Sequence, residues 1–270
     1  MKKFLFFATF SLLTHTVFSQ AGFHAGVNLA FNNAWIFNQN NYGITEMDYE
    51  LKFGGLAGIE AGYNFTENMG AEAEVNFVMM GQNYFDRIRD FGPVDSITGK
   101  SPKVDTYRHI KLNYLQVPLL FRFQTTKEKK DKIELHAMLG PSVGILLSAD
   151  QYYEADMDAN GSVELVDASM SPEQNVIAFA ATPEIEEPEK YFSSLDIGVH
   201  ADIGVDIYLN KNIYITPALK LYMGFMDVNA EATRQDPIIS TPANEYSMSR
   251  NGFAAISVGI HYINIKSKKK

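Results

Sequence analysis

Two groups of residues in this chain have the types and spacing to do chemistry. The first is the stretch DMDANGSVELVD, residues 156–167. Asp156, Asp158 and Asn160 recur on alternate positions, Gly161 supplies a sharp turn, and Ser162, Glu164 and Asp167 follow. Hard oxygen donors at this spacing match the calcium-loop template, with Asp167 in place of the closing glutamate. Being one methylene shorter, Asp167 would reach an ion through one oxygen. The plain alternative is an acidic surface turn, since the flanks carry no helical pattern. The second group is His136, His200 and His261, with Glu60, Glu72, Glu74, Glu134, Asp196, Asp202 and Asp206, and the cations Arg122 and Lys220. With Ser142 or Ser257 as nucleophile, a histidine base and an aspartate to orient it, such a set would perform lipase-like acyl transfer. No G-x-S-x-G elbow accompanies either serine, so no catalysis is expected and the set reads as a structural polar network. Its acids outnumber its cations, and some of them are expected to meet water.

The second group has a common feature, which is the face it occupies. In residues 107–124, Leu115, Val117, Leu119, Phe121 and Phe123 alternate with Gln116, Pro118, Leu120, Arg122 and Gln124. Period-two alternation of this length means an extended strand with one face in an apolar medium. The same pattern recurs from Phe23, Gly55, Ala71, Ile133, Leu195, Ile213 and Ala254. In the clearest case Leu195, Ile197, Val199, Ala201, Ile203, Val205 and Ile207 oppose Asp196, Gly198, His200, Asp202, Gly204 and Asp206. About eight such strands give the smallest outer-membrane type of barrel. Their connections alternate: 64–68, 125–131 and 210–212 are short, while 33–51, 85–106, 149–191 and 227–250 are long. Short turns on one rim and long loops on the other are the mark of a membrane barrel with periplasmic turns and extracellular loops. The fold expected is therefore an all-β, transmembrane, up-and-down antiparallel barrel. Its apolar register faces lipid, and its histidines, acids and cations line the lumen. Pro118, and Pro141 or Pro217, lack a donor and are expected to form bulges.

Residues 1–19 read as a secretory signal peptide, with Lys2 and Lys3 before the apolar run Phe4 to Leu13 and small residues Val17 and Ser19 ahead of Gln20. The mature domain is then 20–270, exported through the Sec pathway, with the acidic connection 149–191 outside the cell. The net charge of −9 argues against nucleic acid as a partner. The absence of cysteine rules out disulfides and thiol chemistry. The ordinary hydrophobic fraction of 46% suits a barrel, which needs only alternate residues apolar.

The segments GFHAGVNLA, GGLAGIEAGY, AEAEVNFVMMG, LNYLQVPLLFRF and HAMLGPSVGILLSA, above all Tyr114 to Leu120 followed by Gly140 and Pro141, resemble the PorT-like outer-membrane β-barrel family. The resemblance covers most of the mature chain outside the loops. It implies an outer-membrane barrel of about eight strands and no assigned activity; the namesake's link to type IX secretion makes an accessory role there the alternative to a structural or surface-interaction role. Expected partners are outer-membrane lipid, lipopolysaccharide and a surface or secretion protein. No cofactor is expected beyond Ca²⁺ at 156–167.

Overall fold

The computed structural model describes residues 22–38, 48–88, 104–125, 132–157, 163–166, 188–231, 234 and 247–265. The expected signal peptide lies outside them. The strands in chain order are β1 (Gly22–Phe37), β2 (Asp48–Glu50), β3 (Lys52–Asn64), β4 (Met69–Ile88), β5 (Val104–Gln124), β6 (Ile133–Met157), β7 (Val163–Val166), β8 (Leu195–Tyr208), β9 (Ile213–Gly224) and β10 (Arg250–Ile265). Eight of them, β1, β3, β4, β5, β6, β8, β9 and β10, pair antiparallel in sequence order, and β1 pairs with β10 to close the ring. Closure leaves none of these eight strands with a free edge toward lipid.

Side-chain facing follows the alternation. Leu119, Phe121, Leu139, Ile203, Ile256 and Val258 are exposed on the outside, while Glu72, Glu74, Arg122, His136, Asp202, Asp206 and Lys220 are buried inside. Aromatic side chains mark both borders of the apolar belt. Phe31 stacks on Phe53 at 5.3 Å on the long-connection side, and Tyr63 meets Phe65 at 5.8 Å beside a short turn. The turns at that rim are tight. Phe65 N–H donates to Met69 O at 2.9 Å, and Asn210 Oδ1 accepts from the N–H groups of Asn212 and Ile213 at 2.8 and 2.9 Å.

Three strands overshoot the membrane. β4, β5 and β6 contain 20, 21 and 25 residues, about twice the 9–11 that a tilted crossing needs. On β5 the outward series changes from Leu115 to Asn113, Lys111, His109 and Tyr107 as the strand leaves the belt, while the inward series becomes Tyr114, Leu112 and Ile110. Polarity is inverted there: water lies outside and an apolar core inside. The connection 149–191 is consequently not all loop. β6 runs on to Met157 because the upper half of β5 needs a partner for its backbone groups, and β7 returns antiparallel on β6.

The prolines do not shift the register. Pro118 lies opposite Ser142, Pro141 opposite Val199 and Pro217 opposite Val258 in unbroken step. Near Pro118 the ladder merely lacks pairs, as a missing N–H dictates. The bulges fall elsewhere. Asn113 faces Ser148 but Tyr114 faces Leu146, so Leu147 is the extra residue. β2 pairs Asp48 with Phe85, one residue out of step with β3, whose Leu56 faces Val78, which makes Leu51 a second bulge. Both sit where the wall leaves the membrane and bends. Gly81, at φ 127°, is also here, and a Cβ on it would collide with the carbonyl oxygen of Ile110.

Candidate functional site

The lumen has two layers. The lower one, toward the short turns, is a network of charges. Lys220 of β9 crosses the barrel to Glu74 of β4, with Nζ 2.9 and 3.1 Å from the two carboxylate oxygens, and meets Asp202 of β8 at 3.1 Å. Arg122 of β5 bonds Asp206 of β8 and lies 3.5 Å from Glu72 of β4. His136 of β6 bridges Asp202 and Asp206, at 3.2 Å from each. His24 of β1 bonds Glu72 at 2.8 Å, and His261 of β10 contacts Glu60 of β3. Neutral donors complete the set. Asn28 donates to Glu60 at 2.8 Å, Asn76 to Glu74 at 2.7 Å, Thr216 to Asp206 at 2.7 Å and Tyr208 to Glu134 at 2.7 Å. The expectation that surplus acids meet water is corrected: these carboxylates are buried and take histidines, amides and hydroxyls as partners. Glycines make the approach possible. A Cβ on Gly204 would lie 2.5 Å from the His136 ring, so no larger residue fits opposite it.

Glu60, Glu72 and Glu74 bring carboxylate oxygens within 4.8 Å of one another, a grouping that invites a cation. Protein groups already supply the positive charge, and the cavity beside them has a volume of about 10 Å³, about the space of a single water. A buried charge must be paired to be tolerated, and Lys220, Arg122 and the histidines do that here.

Above this layer, Gln116, Ser142 and His200 are fully buried, and among the described residues the Gln116 amide, the Ser142 hydroxyl and both His200 ring nitrogens have no hydrogen-bond partner. His200 is held by packing instead, edge-on to Phe253 at 5.7 Å and tilted to Tyr222 at 6.2 Å. Ser257 donates to the carbonyl of Ala218 at 3.3 Å. Neither serine is bonded to a histidine, so the nucleophile–base pair of the hydrolase reading is not assembled. The upper layer is apolar: Ile36, Val78, Met80, Ile110, Leu112 and Phe253 fill the lumen where the strands leave the membrane. Phe192 and Val228, from the segments that follow the single 3-10 turn Pro188–Tyr191 and β9, close it from above. Ser193 N–H donates to Val228 O at 2.7 Å and Leu146 N–H to Ser194 O at 2.9 Å. Asp227, buried, accepts from Ser249 N–H and pairs with Arg234 at 3.1 Å.

Of the calcium-loop residues, Asp156 lies in β6, with Asp105 of β5 and Val163 of β7 as its neighbours across the two ladders. Asp158, Asn160, Ser162 and Asp167 lie outside the described residues. Sequence reasoning placed the lumen residues on the right face, yet missed His24, Asn28, Asn76 and Thr216 as members of the network. Their inward register was the available signal.

A closed eight-stranded antiparallel barrel with a complete apolar belt, a polar network inside and long connections at one end is an outer-membrane barrel. A model of the outer membrane protein beta-barrel domain family matches residues 17–230, and the chain belongs to that family. No curated protein matches it in sequence. Among solved structures it is similar to Neisserial surface protein A, at 13% identity and a TM-score of 0.38, covering 90% of this chain and 97% of that one. It is similar to Ail, the attachment invasion locus protein of Yersinia pestis, at 10% identity and 0.32, covering 89% and 98%. OprG from Pseudomonas aeruginosa matches at 10% and 0.36, covering 91% and 95%.

Proposed function

We propose that this outer-membrane barrel is a plugged, non-catalytic scaffold that presents its long connections and the raised β4–β5–β6 sheet to the outside. The observation that carries this reading is the double filling of the lumen, by the Lys220–Glu74 network and then by the apolar layer around Ile110 and Phe253. A pore needs an open polar path, and an acyl-transfer site needs a nucleophile within reach of a base and of substrate. The finer PorT-like identity and Sec-dependent export belong to the same proposal, as does contact with outer-membrane lipid and lipopolysaccharide. An accessory role in a type IX-like secretion system would draw on the short-turn rim. The turns described there bond mostly to themselves, so surface presentation is favoured. The purified barrel is expected to give no single-channel steps in planar bilayers, and protease added to intact cells is expected to cut the long connections and spare the strands. Discrete conductance, or full protection on intact cells, would overturn the reading.

A calcium ion bound by residues 156–167 is a second proposal. In the backbone register Asp156 of β6 is the partner of Asp105 of β5, which brings a second acidic position beside the template residues. With Asp158, Asn160, Ser162 and Asp167 as further ligands, Ca²⁺ is expected to slow proteolysis between residues 157 and 163. Asp156→Ala with Asp158→Ala should remove that protection, and equal cleavage with Ca²⁺ and chelator would leave an acidic turn only.

A further inference from the structure

One carboxylate of the lumen stands outside the ion-pair network. Asp196, the second residue of β8, is 2% exposed and takes part in no ion pair among the described residues. Its Oδ2 accepts from Asn251 Nδ2 of β10 at 3.0 Å, while its Oδ1 has no hydrogen-bond partner among the described residues. Asn251 is wholly buried, and its amide nitrogen donates a second time, to the Tyr114 hydroxyl of β5 at 3.3 Å. Its own carbonyl Oδ1 has no partner among the described residues either.

The surroundings are rich in oxygen and cleared of side chains. Gly224, the last residue of β9, lies against the carboxylate, since a Cβ on it would be 2.8 and 3.0 Å from the two oxygens. The Tyr222 ring covers Gly198, the next inward position of β8, and its buried hydroxyl has no partner among the described residues. Gly144 of β6 pairs with Asp196, and a Cβ there would lie 3.4 Å from Gln116 Cγ and 3.7 Å from Asp196 Cβ. The Gln116 carbonyl oxygen is likewise unpartnered among the described residues. Buried oxygens are costly to leave unmet. The cations of the lumen are committed lower down, Lys220 to Glu74 and Asp202, and Arg122 to Asp206 and Glu72.

We infer that Asp196 and Asn251 hold a dehydrated monovalent metal cation of the sodium class at the long-connection end of the lumen, with the Tyr222 hydroxyl and the Gln116 carbonyl as neighbouring oxygen donors. One carboxylate matches one positive charge. The remaining donors are neutral oxygens, hard ligands that suit an alkali ion, whereas a calcium site draws on several carboxylates. The bound ion neutralises a charge that is otherwise buried unpaired. Asp196 is second in β8, Asn251 second in β10 and Gly224 last in β9, so the ion ties these strands together where they end, beneath Phe192 and Val228.

The test uses the full mature barrel folded in detergent at neutral pH, and crystals of it soaked in Rb⁺, whose anomalous scattering marks an alkali-ion site. An anomalous peak is expected between Asp196 and Asn251. In urea titrations the barrel is expected to have a higher midpoint in sodium chloride than in choline chloride of equal ionic strength. At a Na⁺ concentration ten times its Kd the folded-to-unfolded ratio should rise about tenfold. Asp196→Asn keeps the shape and removes the charge, so it should fold and lose both the peak and the sodium response. Gly224→Ala, whose methyl group would press on both carboxylate oxygens, should weaken them. Ser142→Ala removes an unpartnered hydroxyl outside the donor set and should keep both. No Rb⁺ peak in the wild type, or equal midpoints in sodium and choline, would overturn the site and leave Asp196 a protonated or water-bonded acid. A sodium response that persists in Asp196→Asn would overturn it as well.

Discussion

Lys220→Met is expected to leave little of the chain in the compact, heat-modifiable form that a closed barrel gives on unboiled gels. The ammonium is 3% exposed and neutralises Glu74 on the far wall and Asp202 on the neighbouring strand. Methionine keeps the bulk but leaves both carboxylates buried without their cation. Removing one partner of a buried pair costs about 3–5 kcal/mol, a large part of the stability a domain of this kind has. The loss should show as a lower urea midpoint. His200→Phe provides the contrast, since His200 is as deeply buried yet has no hydrogen-bond partner among the described residues, and a phenyl ring keeps the contacts to Phe253 and Tyr222. It should change stability by no more than about 1.5 kcal/mol. Equal losses in the two variants would mean that the cross-barrel ion pair does not brace the wall.

The second large effect is expected on the outer face. Val199, near the middle of β8, points to lipid, and Val199→Arg should block insertion or cost about 2–4 kcal/mol, as a cation at the midplane does. Leu209→Arg, at the short turn after β8, lies at the interface, where the same charge costs about 0–1 kcal/mol. Refolding yields in lipid vesicles would separate the two, and similar yields would show that the belt is misplaced on this strand.

How much of this was legible in the sequence depends on height in the barrel. Within the belt, one register meets lipid and the other a polar lumen, so Leu115 to Phe123 and Leu195 to Ile207 declare both their strands and their facing. Above it the medium outside is water and the inside is apolar. Lys111, His109 and Tyr107 therefore face out while Leu112 and Ile110 face in. The alternation persists with its meaning reversed, and a connection such as 149–191 hides nine further residues of β6 and the whole of β7. The lumen residues were legible as a face, because each follows the period of two. Their partners were not. Lys220 and Glu74 are 146 positions apart, and no local pattern tells which acid on the far wall a lysine will reach. The bulges at Leu147 and Leu51 were equally hidden, since they answer to the geometry of the wall and not to the prolines.

The pairing of β1 with β10 sets the order in which this molecule can assemble. Gly22 meets Ile265 and Phe37 meets Arg250, so the seam joins the two extremes of the described chain. Every other neighbouring pair in the ring is joined by a turn or connection, but the seam is paid for by ordering almost the entire polypeptide first. Contacts of such long sequence separation slow folding, and until the seam forms both β1 and β10 carry open edges that invite pairing with other chains. The charged lumen is in the same position, because Lys220 cannot find Glu74 until the sheet has curled. Closure therefore acts as a single late commitment, in which the seam, the ion pairs and the dry interior arrive together, and a nascent chain is vulnerable to aggregation up to that moment.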